Sequence, residues 1–126
     1  MYPNELELII DGKMPLEDYL RVMQKSNVVI DQVNSYSLGM NGLYALAMGK
    51  VVIGGAEQEG LNSLGIKSSP VINVEPNKHS IISAIEMILS KKDKLKEMGT
   101  ESRDFVKKFH CNIKVAKKYL YTWNNN

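Results

Sequence analysis

Asp31-Gln32-Val33-Asn34-Ser35-Tyr36-Ser37-Leu38-Gly39-Met40-Asn41-Gly42-Leu43-Tyr44-Ala45-Leu46-Ala47-Met48-Gly49-Lys50-Val51-Val52-Ile53 reads as the end of a buried strand, a loop of small polar residues, a helix, a glycine stop and a second buried strand. In open α/β sheets, ligands sit beyond the carboxyl ends of the strands, where loops feed helix N-termini. Backbone N–H groups at such a helix start lack intrahelical partners and carry partial positive charge, which suits an anion such as phosphate. This stretch is therefore the expected site.

Outward from it, the pattern repeats. Val28-Val29-Ile30 is a continuous apolar run of β-branched residues, the mark of a strand covered on both faces. Before it, Leu6 to Ile10 is a short apolar run ended by the turn signal Asp11-Gly12 and predicts a first strand. Pro15 opens a helix that carries Leu16, Tyr19, Leu20 and Met23 and ends near Ser26. The helix from about Gly39 to Met48 is expected to present Met40, Leu43, Tyr44 and Ala47, with Gly49 as its C-terminal stop. Residues 57–69 read as loop with a helical turn at 60–64, and 71–74 as a fourth strand stopped at Pro76. A helix capped by Asn77 follows to Ser90, with Ile81, Ile82, Ile85, Ile88 and Leu89 on one stripe. The segment from Asp93 to Phe109 is helical, with Gly99 a candidate break, and a last helix spans Asn112 to Trp123 before a frayed Asn124-Asn125-Asn126. The predicted fold is one α/β domain over 1–126: Rossmann-like, with α/β/α layers and a parallel sheet of about four strands near 6–10, 28–31, 51–54 and 71–74.

Composition bounds the function classes. The 126 residues are 44% hydrophobic and 24% charged, with a net charge of +2. That is ordinary for a globular domain and argues against a nucleic-acid partner. No run reaches the roughly 18 apolar residues of a membrane span, and Met1 to Glu5 lacks the basic-then-apolar pattern of a secretory leader. The single cysteine, Cys111, excludes an internal disulfide and a cysteine-based zinc site, and fits a reducing cytosol. With His79 and His110 read as surface residues near helix ends, neither a metal nor a cofactor is expected.

Within the loop, Ser35, Ser37 and Asn41 around Gly39 offer hydroxyl, amide and backbone donors to a phosphate. The plainer alternative is that Ser37 caps the helix and Gly39 makes the turn. Asp31 and Gln32, at the strand end, suit a sugar hydroxyl or the capping of the neighbouring loop. Tyr36 and Tyr44 suit stacking on a ligand or packing. Glu57 and Glu59 follow the next strand on the same edge. Lys107, Lys108, Lys114, Lys117 and Lys118, interleaved with Tyr119, Tyr121 and Trp123, make the C-terminal region basic. Two readings compete there: an amphipathic helix docked on the domain, and peripheral contact with the inner face of an anionic membrane.

The order of strand, loop, small-residue helix, Gly49-Lys50-Val51-Val52-Ile53, long loop and Pro70-Val71-Ile72-Asn73-Val74 resembles the C-terminal, donor-binding half of retaining glycosyltransferases of the GT-B fold. The stretch from Leu95-Lys96-Glu97-Met98-Gly99 to Val106 is similar to that family's closing helices. Gly39 and Ala45-Leu46-Ala47-Met48-Gly49 carry the likeness most strongly. The resemblance implies binding of a nucleotide-diphosphate sugar for transfer to a polysaccharide or lipid-linked acceptor, with Ser37, Leu38, Gly39 and Met40 facing the diphosphate and sugar. It also implies catalysis in a cleft shared with an N-terminal acceptor domain, so that this chain alone is expected to be inactive. The family's two donor-binding glutamates fall at Tyr36 and Tyr44, which supply no carboxylate. A degenerate, non-catalytic nucleotide- or partner-binding module is the alternative. A signalling receiver domain fits the length but needs paired carboxylates that do not accompany Asp11 or Asp31. In the family's arrangement further strands separate Leu6–Ile10 from Val28–Ile30. Either Leu6–Ile10 moves inward to pair with 28–31, or two copies of the chain pair across an open edge.

Overall fold

The computed structural model describes residues 4–125. The chain is α/β, with a small, open, fully parallel sheet of three strands among the described residues. The elements in order are α1 (Leu16–Lys25), β1 (Val28–Ile30), α2 (Met40–Ala47), β2 (Val51–Gly54), α3 (Gln58–Ser63), β3 (Ile72–Asn73), α4 (Lys78–Ser90), a 3₁₀ turn at Lys92–Lys94, α5 (Leu95–Phe109) and α6 (Asn112–Asn124). Strand order is β1-β2-β3, with Val28 opposite Val51, Ile30 opposite Ile53 and Ile53 opposite Ile72. The ladder runs on past the assigned ends. Asp31 N–H donates to the Ile53 carbonyl at 2.8 Å and Val74 N–H to the Gly54 carbonyl at 3.1 Å.

All four residues of β2 are buried, which makes it the central strand. Side chains alternate across a strand, and here they serve two clusters. Val52 packs with Met23, Ala45, Leu46 and Val71, flanked by Tyr19, Leu38, Phe105 and Val106. Val51 and Ile53 pack with Val74, Ala84 and Ile88, flanked by Ile81, Ile85, Leu95 and Met98. The first helical turn of α5 joins the second cluster and its later residues join the first, so α5 closes one side of the core.

Local signals place several boundaries as the sequence predicts. Asn77 Oδ1 accepts the Ser80 N–H at 2.8 Å and caps α4. Gly49 ends α2 with φ +74, the left-handed turn that favours glycine. The predicted turn at 60–64 is a helix from Gln58 to Ser63. The last helix runs one residue past Trp123, to Asn124; Asn126 of the expected tail lies outside the described residues, as do Met1 to Pro3.

Three expectations are corrected. Leu6–Ile10 is not a strand. It pairs with neither a neighbour nor the sheet, and Leu6, Leu8, Ile9 and Ile10 are all exposed, Ile10 at 85%. The inward shift onto β1 therefore does not occur. A strand gains from an apolar run only where an edge and a covering layer meet it. β1 has α1 against it through Tyr19 and Met23, whereas the described contact nearest the first segment is the surface ion pair of Glu5 with Lys92 at 2.8 Å. The face of α2 also differs. Gly42, Ala45 and Leu46 are buried, Leu43 is half-buried, and Met40, Tyr44 and Ala47 are exposed. Gly42 sits on the inward face because α2 lies against the loop after β1, where a Cβ would meet Asp31 and Leu38. Finally, Gly99 does not break α5. It is buried, and a Cβ there would run into the carbonyl of Gly49. Two glycine backbones touch at this point, and any side chain would separate them.

Candidate functional site at the carboxyl edge

Because all three strands run parallel, the loops after β1, β2 and β3 emerge at one edge. The first, residues 31–39, feeds α2. Gly39 has no side chain to cap that helix, and Asp31 does so instead: its Oδ2 accepts the Gly39 N–H at 2.8 Å. A carboxylate at a helix start is favoured by both the free N–H groups and the helix dipole. The surrounding glycines make room for it. A Cβ on Gly42 would meet Asp31 Oδ2 and Leu38, and a Cβ on Gly39 would meet the Gln32 carboxamide. Asp31 and Gln32 are thus brought together with Gly39 and the α2 start.

The rest of the loop rests on the neighbouring turns. Ser35 lies against the backbone of Gly55, where any Cβ would strike the Ser35 carbonyl. The Tyr36 carbonyl accepts the Glu57 N–H at 3.0 Å, and Gly60 sits below that carbonyl. Ser35 Oγ accepts the Ser37 N–H at 3.3 Å, so Ser35 serves the turn itself. At the end of β3, Asn73 Oδ1 accepts the Ala56 N–H at 2.8 Å and Asn73 Nδ2 donates to Glu57 Oε1 at 3.0 Å. Glu57 is therefore tied into the scaffold, while Glu59 is exposed. Of the two tyrosines, Tyr36 is 72% exposed and Tyr44 41%, so neither is core packing. Met40 and Asn41 are likewise exposed, Ser37 is exposed, and Leu38 is half-buried against the first core cluster.

The electrostatics of this edge are acidic. Asp31, Glu57 and Glu75 follow the three strands, with Lys78 at the start of α4. The α4 start is internally satisfied: Asn77 caps Ser80, Ser80 Oγ accepts the Glu75 N–H at 3.1 Å, and Asn77 Nδ2 donates to Glu75 Oε2 at 3.1 Å. Behind the edge, burial raises the Tyr19 phenol above its usual pKa, and the negative charge of Asp31 adds to the effect. Tyr19 was not legible as a neighbour of the site, since only packing of α1 brings it there. Gly42, Gly55 and Gly60 were also missed, though their spacing around small polar residues was a visible signal of close backbone approach.

Two shallow grooves lie nearby. One, of about 400 Å³, runs between Val33 and Asn34 and the α4 start at Pro76, Asn77, Lys78, Ile81 and Ile82. The other, of about 470 Å³, follows α4 from Asn73 and Glu75 to Met87. Residues 35–41 line neither of them. No cluster of His, Cys, Asp and Glu suited to a metal occurs among the described residues. Comparison with family models, curated proteins and solved structures returns no match for this chain.

Proposed function

We propose that this chain is the donor-side domain of a nucleotide-sugar-dependent glycosyltransferase, built as a Rossmann-like unit with helices on both faces of its sheet. The observation that carries the reading is the carboxylate of Asp31, held at the carboxyl edge by the Gly39 N–H beside Gln32, on a loop and helix that also carry the exposed Tyr36 and Tyr44. A fixed carboxylate accepts hydrogen bonds from hydroxyls, so it recognises a ribose or hexose diol. It also opposes a phosphate at the same helix start, since like charges meet there. In this reading the diol of the donor lies over Asp31, and Tyr36 and Tyr44 supply faces and hydroxyls to the base or sugar. The diphosphate lies off the α2 axis, towards the groove that contains Lys78. The resemblance of Gly39 and 45–49 to the GT-B family supports the same assignment.

Amide chemical-shift mapping with uridine diphosphate and with a uridine-diphosphate hexose tests this. Shifts are expected in residues 31–44 at millimolar ligand, and Asp31→Ala is expected to remove most of them. Absence of binding, or shifts confined to other surfaces, overturns the reading. A second reading, a binding module without turnover, is favoured by Tyr36 and Tyr44 standing where the family has glutamates. It predicts the same shifts but no donor hydrolysis and no transfer with any acceptor domain supplied.

A further inference from the structure

Every residue of α6 is exposed. The helix therefore does not dock on the domain, which removes the simpler of its two sequence readings. At 100° per residue, Ile113, Val115, Ala116, Tyr119, Leu120 and Trp123 fall on one continuous face. Lys114, Lys117 and Lys118 fall on the opposite face. Among residues 105–126 there is no acidic residue, so Lys107 and Lys108 at the end of α5 extend the positive charge. Trp123 is 80% exposed and Tyr119 71%.

From this arrangement we propose that α6 is a surface-seeking helix that lays its apolar face into an anionic lipid bilayer. Two observations select that occupant. The charge complements a negative surface, and lysines opposite an apolar stripe bury their stems while keeping their ammonium groups at the headgroups. Tryptophan and tyrosine are the residues that settle at the boundary between water and hydrocarbon. Thirteen residues make a helix about 20 Å long. The same length is too short to cross a bilayer, so α6 lies in its plane.

Trp123 is the chain's single tryptophan, so its emission reports on α6 alone. The full chain is titrated with vesicles of phosphatidylcholine, and with vesicles containing phosphatidylglycerol, at low and high salt. Binding to the anionic vesicles is expected, with a blue shift of Trp123 emission and weakening by salt. A Lys114→Gln/Lys117→Gln/Lys118→Gln variant is expected to lose roughly a hundredfold in partitioning, each lysine contributing about fivefold near an anionic surface. Leu120→Asp is expected to abolish the blue shift while leaving the melting curve unchanged. Failure to bind, equal binding to the neutral vesicles, or a concentration-dependent dimer that Leu120→Asp dissolves would each overturn the proposal.

Discussion

Helices α2 and α6 are both rich in apolar residues, yet one is the most enclosed helix of the chain and the other touches almost nothing. α2 has eight residues and buries Gly42, Ala45 and Leu46; α6 has thirteen and buries none. Length does not explain the difference, since the longer helix is the exposed one; composition contributes, because α6 carries Lys114, Lys117 and Lys118 while α2 carries no charge. α2 is lined with glycine and alanine where it meets the loop of Asp31, so backbone can approach backbone and Leu46 reaches the core. α6 carries Tyr119, Leu120, Tyr121 and Trp123, large groups that need a broad apolar surface, and the domain offers none there. Close packing against a fixed scaffold rewards small residues, whereas docking on an external surface rewards large amphipathic ones.

Stability measurements break the comparison most directly. Leu46 is fully buried, so Leu46→Ala should cost about 3 kcal/mol through lost transfer energy and the cavity left behind. Leu120→Ala, the same truncation on α6, should stay within about 0.5 kcal/mol. Urea unfolding of both variants checks the contrast; comparable losses would mean that α6 is packed in solution. A smaller effect sharpens the role of backbone approach. Gly99→Ala places a methyl group against the Gly49 carbonyl, where neither backbone can give way, and should cost about 2 kcal/mol, seen as a lower melting temperature. If the variant is as stable as the parent, α5 does not lie on Gly49.

The smallest effect tests the junction between α5 and α6. His110 packs on Phe105 with ring centroids 5.6 Å apart, and burial lowers its pKa. The folded chain therefore favours the neutral imidazole. On unfolding, the ring returns to its ordinary pKa of about 6.5 and takes up a proton more readily. The stability it contributes is present above about pH 6.5 and is lost as the pH falls below that value towards the lowered folded pKa. Melting curves between about pH 7.5 and 5.5 should show a modest decline that His110→Gln reduces. An unchanged slope in the variant would assign the decline to other groups.

Much of the site was legible because its signals are local. Gly39 at the start of a small-residue helix, Asp31 and Gln32 at a strand end, and polar residues between them mark a strand-to-helix loop from sequence alone. What the loop does with these residues was not legible. Asp31 reaches Gly39 eight positions on, and its carboxylate takes the helix start that the sequence reading offered to a phosphate. Such a pairing depends on how the strand end faces the helix.

The sequence by itself determined the parallel α/β class, the run of β2, the cap of α4 at Asn77 and the turn at Gly49. Each depends on periodicity or on the conformational preference of one residue, which neighbours in the chain are enough to set. Tertiary structure alone decided which apolar segments were covered. Leu6–Ile10 and Val28–Ile30 are both short apolar runs, but only the second lies beside β2 and against α1, and there Val28 and Val29 are half-buried while Ile30 stays exposed. Burial is a property of what surrounds a segment, and for the first segment and for α6 no surface of the domain comes near enough to provide it.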